Sequence, residues 1–393
     1  MKNEEWKEYR LSDICDVRDG THDSPKQSID GKYLITSKHI KNGRIDKSSA
    51  YKISLNDFNF VNQRSKVDKW DILISMIGTV GDVCLVSEEP DFAIKNVGLI
   101  KTGNKDLANF LYYYLKSPLA QNNIASRLKG TTQQYLSLGE IRNFPIHLPS
   151  LSTQQKIAKI LSALDDKIEL NNAINRNLEE QAQALFKNWF VDFEPFGSEK
   201  PDDWQIGKLS DIAEYEKQKI NISELTEETY YSTENMLPNR GGICRAANLP
   251  SIDQTTKCFP GETIISNIRP YFKKIFYCTE EIAGCSTDVL CFKPKKKTLE
   301  AYNYFLLCSD NFFDYMIKGT KGTKMPRGDK SQIMNYEVNI PSENMLQKFE
   351  AIASPILQQI KANQQENRHL AAVRDELLPK LMLGELDIAD VRI

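Results

Sequence analysis

The feature that most constrains this 393-residue sequence is an internal repeat. Leu11–Ile14 (LSDI) returns unchanged as Leu209–Ile212, and later segments return in the same order. The other pairs are Asp71–Ile77 with Glu262–Ile268, Lys129–Thr131 with Lys321–Thr323, and Ile141–Pro149 with Ile333–Pro341. A period of this length indicates duplicated structural units, so the repeat limits the architecture before any residue chemistry is considered.

The composition is that of a globular chain, with 40% hydrophobic and 26% charged residues, which favours neither disorder nor a membrane protein. No apolar run approaches the ~20 residues that span a bilayer, and the first ten residues are charged where a signal peptide is apolar. We therefore expect a cytoplasmic protein without a membrane partner. The eight cysteines form no C-x-x-C and have no nearby histidine pair, so we expect no metal site and mostly buried, reduced thiols.

Each copy mixes strand and helix patterns. The first copy predicts strands at Tyr33–Thr36, Ile72–Ile77 and Val83–Val86 and a helix near Leu107–Leu128; the second predicts strands near Thr263–Ile268 and Val289–Phe292 and a helix near Leu299–Ile317. We therefore predict an α+β fold with two similar α/β domains, at residues 1–150 and 199–341, that share a framework and differ in detail.

An apolar stripe at helical spacing follows each copy, and each predicts a helix of nearly 40 residues, within 151–198 and 342–393. The first stripe is Ile157, Leu161, Leu164, Ile168, Ile174, Leu178, Ala182, Leu185 and Trp189; the second is Phe349, Ile352, Ile356, Ile360, Leu370, Val373, Leu377 and Leu381. Pro355 should kink or restart the second helix. Because such long helices need a long partner, we predict that they pair antiparallel as a coiled coil with pseudo-two-fold symmetry.

Two features of these helices carry specific predictions. Asn171 and Asn363 share a repeat position and replace apolar residues in the two stripes, so we expect them to meet at the symmetry axis and fix the register. The alternative is that both are exposed. The aromatic cluster Phe186, Trp189, Phe190 and Phe193 is expected to anchor the first helix on a domain, the alternative being a surface exposed for a partner.

At this point a family resemblance is visible. Asn177–Pro195 resembles the central conserved helix of type I restriction-modification specificity subunits, and Arg374–Leu386 is similar to their distal conserved helix. Gly20–His22, Gly130–Thr132 and the order of domains and helices extend the resemblance over the whole chain. It implies two target recognition domains that each read half of a bipartite double-stranded DNA site. It also implies helices that dock two methyltransferase subunits, within a complex that includes restriction subunits.

The sequence favours a protein without catalytic activity of its own. No P-loop is present, because Gly319–Lys324 is too short, and neither a methyltransferase N-P-P-[FYW] motif nor a glycine-rich methionine-cofactor loop occurs. The resemblance implies that S-adenosylmethionine, ATP and Mg are needed only on partner subunits, with no cofactor in this chain. A rigid spacer between two dissimilar reading heads further predicts an asymmetric site with a fixed gap, which suits half-sites about one DNA turn, ~34 Å, apart.

Positions where the two copies diverge chemically are the candidates for reading sequence. Gly78–Asp82 in the first copy aligns with the basic and aromatic Arg269–Lys274 in the second. Arg269 could bond a guanine edge, hold a phosphate or form a structural salt bridge, and these alternatives stay open. Lys273 and Lys274 suit phosphate better than a base.

A second divergence follows the shared Lys-Gly-Thr, where Thr132–Tyr135 aligns with Lys324–Arg327. Gln133 or Gln134 could pair with adenine while Lys129 and Lys321 position the backbone; alternatively the glutamines are solvated and the threonines satisfy turns. Residues 317–330 form the sharpest basic cluster, and they are either a DNA contact or a solvated loop. The full set of candidate DNA-binding residues is Thr21, His22, Lys38, Thr79, Lys129, Thr131, Gln133, Gln134, Arg269, Tyr271, Lys273, Lys274, Lys321, Thr323, Lys324 and Arg327.

His22 and Lys38-His39, in the N-terminal loops, are weaker candidates, because histidines without a visible carboxylate partner are more often structural. The formal net charge of −2 also keeps a rival hypothesis open, namely a non-catalytic coiled-coil scaffold with two protein-binding heads. Steep salt dependence of duplex DNA binding distinguishes the two hypotheses, because contacts to phosphates release counterions.

Overall fold

The computed structural model describes residues 6–386, and the chain divides into two compact units. The first contains residues up to Glu169 and from Asn367 onward, and the second is Leu170–Glu366. Residues 1–5, at the start of the first predicted segment, and residues 387–393, at the end of the last, lie outside the described residues. Each unit therefore contains one α/β domain and a part of both long helices.

The first unit is built on short strands and helices in alternation. Its strands are β1 (Lys7–Arg10), β2 (Asp16–Asp19), β3 (Gln27–Ser28), β4 (Lys32–Thr36), β5 (Ile40–Lys41), β6 (Arg44–Ile45), β7 (Lys52–Ile53), β8 (Ile72–Ser75), β9 (Val83–Leu85), β10 (Phe92–Lys95), β11 (Val97–Lys101) and β12 (Pro145–Leu148). Its helices are α1 (Leu11–Ile14), α2 (Leu55–Ser65), α3 (Lys105–Lys116), α4 (Pro118–Ser126) and α5 (Leu138–Arg142), after which the long helix α6 (Leu151–Phe190) begins.

The second unit repeats this plan. Its strands are β13 (Gln205–Lys208), β14 (Ala213–Tyr215), β15 (Lys219–Asn221), β16 (Tyr230–Tyr231), β17 (Gln254–Cys258), β18 (Thr263–Ser266), β19 (Ile275–Tyr277), β20 (Ala283–Cys285), β21 (Val289–Pro294) and β22 (Glu337–Ile340). Its helices are α7 (Leu209–Ile212), α8 (Glu300–Leu307), α9 (Asp310–Lys318) and α10 (Lys330–Met334), followed by the long helix α11 (Glu343–Met382).

The sheets confirm that the two domains share a framework and differ in detail. The antiparallel core sheet has the order β2-β11-β8-β9 in the first unit and β14-β21-β18-β19 in the second, which is the same arrangement of equivalent strands. The mixed sheets differ, with β10-β4-β7-β3 in one and β15-β17-β20-β16 in the other. The shared sequence segments build the common sheet, because β8 and β18 are buried along their whole length.

The helix predicted near Leu107–Leu128 and the helix predicted near Leu299–Ile317 are each divided into two helices in the structure. In the first unit, α3 ends before Ser117, whose side chain accepts from the Ala120 N–H and caps α4, with Pro118 as the first helical residue. In the second unit, Ser309 plays the same part for α9 by accepting from the Phe312 N–H. A hydroxyl that satisfies a free N–H at the start of a helix favours a new start over continuation. The apolar periodicity spans both helices, so it could not show the break.

The two long helices, α6 and α11, each have 40 residues. The expectation that Pro355 restarts the second helix is wrong, since α11 runs through it without interruption. Proline removes one backbone hydrogen bond, at a cost of ~3 kcal/mol. The neighbouring residues Phe349, Ala353 and Leu357 are buried against the second domain, and this burial offsets the cost.

The helices pair antiparallel within each unit. In the second unit the Asn171 Nδ2 donates to Glu366 Oε2 at 2.8 Å, and Asn363 Nδ2 donates to Asn175 Oδ1 at 2.7 Å. In the first unit Arg374 and Asp165 form an ion pair at 2.6 Å. Asn171 and Asn363 are both buried, as a role in setting the register requires. Their direct approach to each other stays a prediction, which a double-mutant analysis can test.

The apolar stripes are partly out of phase with the seam. Ile174 and Ile352, which were assigned to the stripes, are 38% and 44% exposed. Asn175 and Ala353 lie one residue further along; Asn175 bonds to Asn363 and Ala353 is fully buried. An α-helix drifts against a seven-residue repeat, so a stripe extended through a polar centre loses its phase.

The aromatic cluster anchors the first long helix on the second domain, as predicted. Phe186 and Phe190 are buried, and the Phe190 ring centroid lies 5.0 Å from that of Tyr302 and 5.1 Å from that of Phe349. Phe193 and Trp189 pack at the edge of the same core. The rings meet edge to face or tilted, which are the arrangements that aromatic quadrupoles favour.

A buried glutamate that accepts a hydrogen bond from a thiol distinguishes the second core. All eight cysteines are free thiols and only Cys244 is exposed. The Cys291 thiol donates to Glu262 Oε2 at 2.9 Å, and burial raises the pKa of Glu262 to about 7. At the repeat position in the first unit, Asp71 instead has the Lys101 ammonium at 2.9 Å. Lys293, the counterpart of Lys101, is paired with Glu216 at 3.3 Å.

This environment predicts a pH-dependent stability. Because the folded-state pKa of Glu262 lies above its ordinary value, its contribution is present at acid pH and is lost as the pH rises through about 7, by at most about 3 kcal/mol. We expect the free energy of unfolding of Glu262→Gln, relative to that of the wild type, to be higher at pH 8 than at pH 5. Chemical denaturation at the two pH values measures this difference. Burial also raises the pKa of Glu350 to about 7, so part of the dependence stays. If variant and wild type differ in free energy of unfolding by the same amount at pH 5 and at pH 8, Glu262 is not held neutral by the fold.

Candidate nucleic-acid interface

In the first unit, two of the predicted loops lie side by side. The loop after β8 turns tightly because Gly78 and Gly81 have φ of +86° and +96°, a region that suits glycine. The Gly81 N–H donates to Ser75 O at 3.0 Å. Thr79 is exposed at the tip.

The second of these loops is closed by two backbone hydrogen bonds of 2.9 Å between Lys129 and Tyr135. Thr131, Gln133 and Gln134 are exposed between these ends. Tyr135 also forms a β-bridge with Ile77, and the Leu136 N–H donates to Met76 O at 2.9 Å. These bonds place the glutamine loop directly beside the Thr79 loop.

A chain of hydrogen bonds brings the N-terminal candidates to the same place. The Met76 N–H donates to Ser37 Oγ at 3.1 Å, and Ser37 Oγ donates to Asn96 O at 2.9 Å. Asn96 Oδ1 in turn contacts His22 Nδ1 at 2.8 Å. Lys38 follows Ser37 and is exposed, and Thr21 precedes His22. The structure therefore gathers all the candidates of the first unit at one end of its core sheet.

The histidines have partners that the sequence did not reveal. His22 Nε2 lies 3.0 Å from the buried carboxylate of Asp19, a partner that was not recognised in the sequence. Asp19 is the last residue of β2 and lies only three residues before His22. His39 is buried, and its Nδ1 accepts from the Thr36 N–H at 2.9 Å. Burial lowers the pKa of His39, which fits a neutral, structural ring.

The second unit has an equivalent arrangement. Lys321 and Arg327 close the basic loop with two backbone hydrogen bonds of 2.9 Å, as Lys129 and Tyr135 do in the first unit. Arg327 forms a β-bridge with Ile268, and the Arg269 N–H donates to Pro326 O at 2.8 Å. Thr323 and Lys324 are exposed at the tip. The Arg269–Lys274 segment and the basic loop therefore lie together.

Several basic candidates in the second unit are engaged in ion pairs or hydrogen bonds. Lys273 contacts Asp310 at 2.7 Å, and this lysine together with Arg240 lowers the pKa of Asp310 to about 2. Lys274 donates to Thr233 O at 2.6 Å, and burial lowers its pKa. A phosphate contact by either lysine stays a prediction, but it would have to compete with these partners. Tyr271, in contrast, is 49% exposed.

Lys129 and Lys321 have equivalent partners. Lys129 lies 3.0 Å from Glu140, and Lys321 lies 2.5 Å from Asp329. Each lysine lowers the pKa of its carboxylate. These surface pairs are weak, so they hold the loops only loosely through side chains. The backbone hydrogen bonds fix the loop ends.

Sequence reasoning missed Asn96 and Asp288. They occupy equivalent repeat positions, just before β11 and β21, and each holds a candidate side chain. Asn96 contacts His22, and Asp288 lies 3.0 Å from Arg327. The shared signal was present in the sequence as an Asn-Val and an Asp-Val at the same offset.

The chain is thus a protein of two α/β units that carry exposed loops at matching positions. The family model of the type I restriction modification DNA specificity domain matches residues 3–180 and 201–371. The chain therefore belongs to this family and carries two copies of its domain.

Known proteins resemble the chain over most of its length. It is 26% identical to the MjaIX specificity subunit of Methanocaldococcus jannaschii, over 98% of this chain and 95% of that one. It is 29% identical to the HindI specificity subunit of Haemophilus influenzae, over 66% of this chain and 55% of that protein. The crystal structure of a type I system S subunit from M. genitalium has a TM-score of 0.61 at 18% identity, with 97% of both chains covered. The last comparison concerns the fold alone.

Between residues 6 and 386, no helix has both the length and the apolar character needed to cross a membrane.

Proposed function

We propose that the chain is the DNA-recognition subunit of a type I restriction-modification complex. Each unit would read one half of an asymmetric bipartite site, and the long helices would dock two methyltransferase subunits, with restriction subunits completing a cytoplasmic assembly. Catalysis would belong to these partners, which would carry S-adenosylmethionine, ATP and Mg. The family membership and the duplicated loop surfaces support this proposal.

One observation carries it above all. In both units, loops that are distant in sequence are tied together by equivalent hydrogen bonds at the same end of an equivalent sheet, while their exposed residues differ. Gln133 and Gln134 occupy this surface in the first unit, and Lys324 and Arg269 occupy it in the second. A common frame with different polar side chains suits two surfaces that read different base sequences.

The direct test is methylome sequencing of a host that expresses the chain with its methyltransferase. We expect one bipartite motif with two different halves. Replacing residues 1–150 by the corresponding domain of another specificity subunit should change one half and leave the other intact. A palindromic motif contradicts the asymmetry, and a change in both halves contradicts the assignment of one half to each unit.

Salt dependence separates this proposal from the protein-binding scaffold. The assembled complex should bind duplex DNA with an affinity that falls steeply as salt rises, by about 0.9 in log K per log salt for each phosphate contacted. Fluorescence anisotropy with a duplex that contains the motif measures this slope. A flat response would favour the scaffold, which the net charge of −2 leaves open.

A further inference from the structure

The second unit contains a cleft of about 590 Å³ beside its basic loop. Its lining includes Thr233, Asn235, Arg245, Arg269, Asp288 and Met325. The volume falls in the range typical of small-molecule sites. The cleft lies where the Arg269–Lys274 segment meets the basic loop, which is the surface proposed above to face DNA.

Arg269 has no ion pair or hydrogen bond from its side chain to the described part of the protein. Four of the six basic candidates in this unit are engaged: Lys273 with Asp310, Lys274 with Thr233, Lys321 with Asp329 and Arg327 with Asp288. The structural salt bridge, one of the three roles considered for Arg269, is therefore absent here. Its guanidinium is available to a ligand.

The backbone of Arg269 is held in an unusual conformation. Its φ of +50° is left-handed, which costs free energy for a residue other than glycine, and such residues concentrate at functional sites. The bond from its N–H to Pro326 O fixes this conformation. Its Nε is buried and has no hydrogen-bond partner among the described residues, so only the two terminal nitrogens of the guanidinium can reach a ligand. A strained residue whose terminal nitrogens lie at a cleft without a protein partner points to a ligand that supplies acceptors.

The charges that line the cleft are mixed and do not single out a phosphate as that ligand. The Asp288 and Glu234 carboxylates lie there together with the Arg245 and Lys274 side chains, and Lys274 already donates to Thr233 O. The amide of Asn235 and the hydroxyls of Thr233 and Ser286 add further polar groups. A neutral base edge tolerates nearby carboxylates, and guanine offers two acceptors, O6 and N7, at the spacing of an arginine fork.

We propose that Arg269 reads a guanine in the half-site bound by the second unit. This inference rests on the proposed function and names the specificity-determining residue at that surface. The guanidinium donates two hydrogen bonds to guanine O6 and N7 in the major groove. The exposed Lys324 on the adjacent loop contacts a phosphate of the DNA.

The test compares three variants in the assembled complex by methylome sequencing. Arg269→Gly removes the side chain and suits the left-handed backbone, so the fold should be kept. Arg269→Lys keeps the charge and loses the fork. Both should relax a single guanine in one half of the motif, with discrimination there falling roughly ten- to a hundredfold. Lys324→Ala, as the matched control, should weaken methylation at all sites without changing the motif.

The other outcomes overturn the inference. If Arg269→Gly keeps the wild-type melting temperature and lowers methylation evenly, or if Arg269→Lys behaves as wild type, Arg269 contacts phosphate. A motif that has no guanine in the half read by the second unit also overturns the inference. A clear bipartite motif that neither Arg269 variant alters overturns this inference alone, whereas the absence of any bipartite motif for the wild type also overturns the proposed function.

Discussion

Phe190→Ala should lower the free energy of unfolding of the second unit by about 3–5 kcal/mol, the usual cost of truncating a buried aromatic residue. Phe190 is 2% exposed, and its ring contacts those of Phe186, Trp204, Tyr302 and Phe349. The cavity would lie where the long helix meets the second domain. Denaturant titration followed by tryptophan fluorescence measures the change, because Trp204 lies in the same cluster.

The matched control for this prediction is the residue that follows the end of the helix. Val191 is 45% exposed, so Val191→Ala should alter stability by no more than about 0.5 kcal/mol. The two units need not unfold in a single step, so both proteins carry Trp6→Phe and Trp70→Phe in the first unit, which leaves Trp189 and Trp204 of the second unit as the reporters. Equal effects of the two substitutions would show that Phe190 does not anchor the helix.

Lys101→Met should destabilise the first unit by about 3 kcal/mol, because it leaves a buried carboxylate without its cation. The Lys101 ammonium lies 2.8 Å from Asp68 and 2.9 Å from Asp71, whose side chain is 3% exposed. Burial already raises the pKa of Asp71, and removal of the ammonium should raise it further. The damage should therefore be largest at neutral pH and should shrink as the pH falls and Asp71 is protonated.

A double substitution tests the mechanism of this loss. Asp71→Asn combined with Lys101→Met removes both charges, so it should recover much of the stability at pH 7 and show little of the pH dependence. Thermal unfolding of the three proteins at pH 5 and pH 7 gives the comparison. If the double variant is no more stable than Lys101→Met, the loss comes from packing of the lysine stem instead of the uncompensated charge.

The repeat allowed much of the fold to be predicted. Segments that share sequence form the equivalent core sheets, and the apolar stripes correctly predict two long helices. The aromatic residues at the end of the first helix are buried as expected. These features are encoded locally, in residue type and spacing, so a single sequence reveals them.

The parts that failed depend on contacts between distant segments. The partner of Lys273 is Asp310, at the start of α9, and three strands and α8 lie between the two residues. His22 contacts Asn96, which is 74 residues further along the chain. Helix phase also fails over long distances, since Ile174 is exposed while Asn175 bonds across the helix pair. Charge alone therefore overstated how many basic side chains are free.

The paired backbone hydrogen bonds that close each recognition loop have a wider consequence. Lys129 with Tyr135, and Lys321 with Arg327, are joined through main-chain atoms that every residue except proline provides. Apart from Gly130 and Gly322, whose φ values of +92° and +91° suit glycine, the intervening residues can therefore be exchanged with little penalty to folding. Such a surface is tolerant of mutation, and a lineage could acquire new targets by altering a few codons while the scaffold beneath is inherited unchanged.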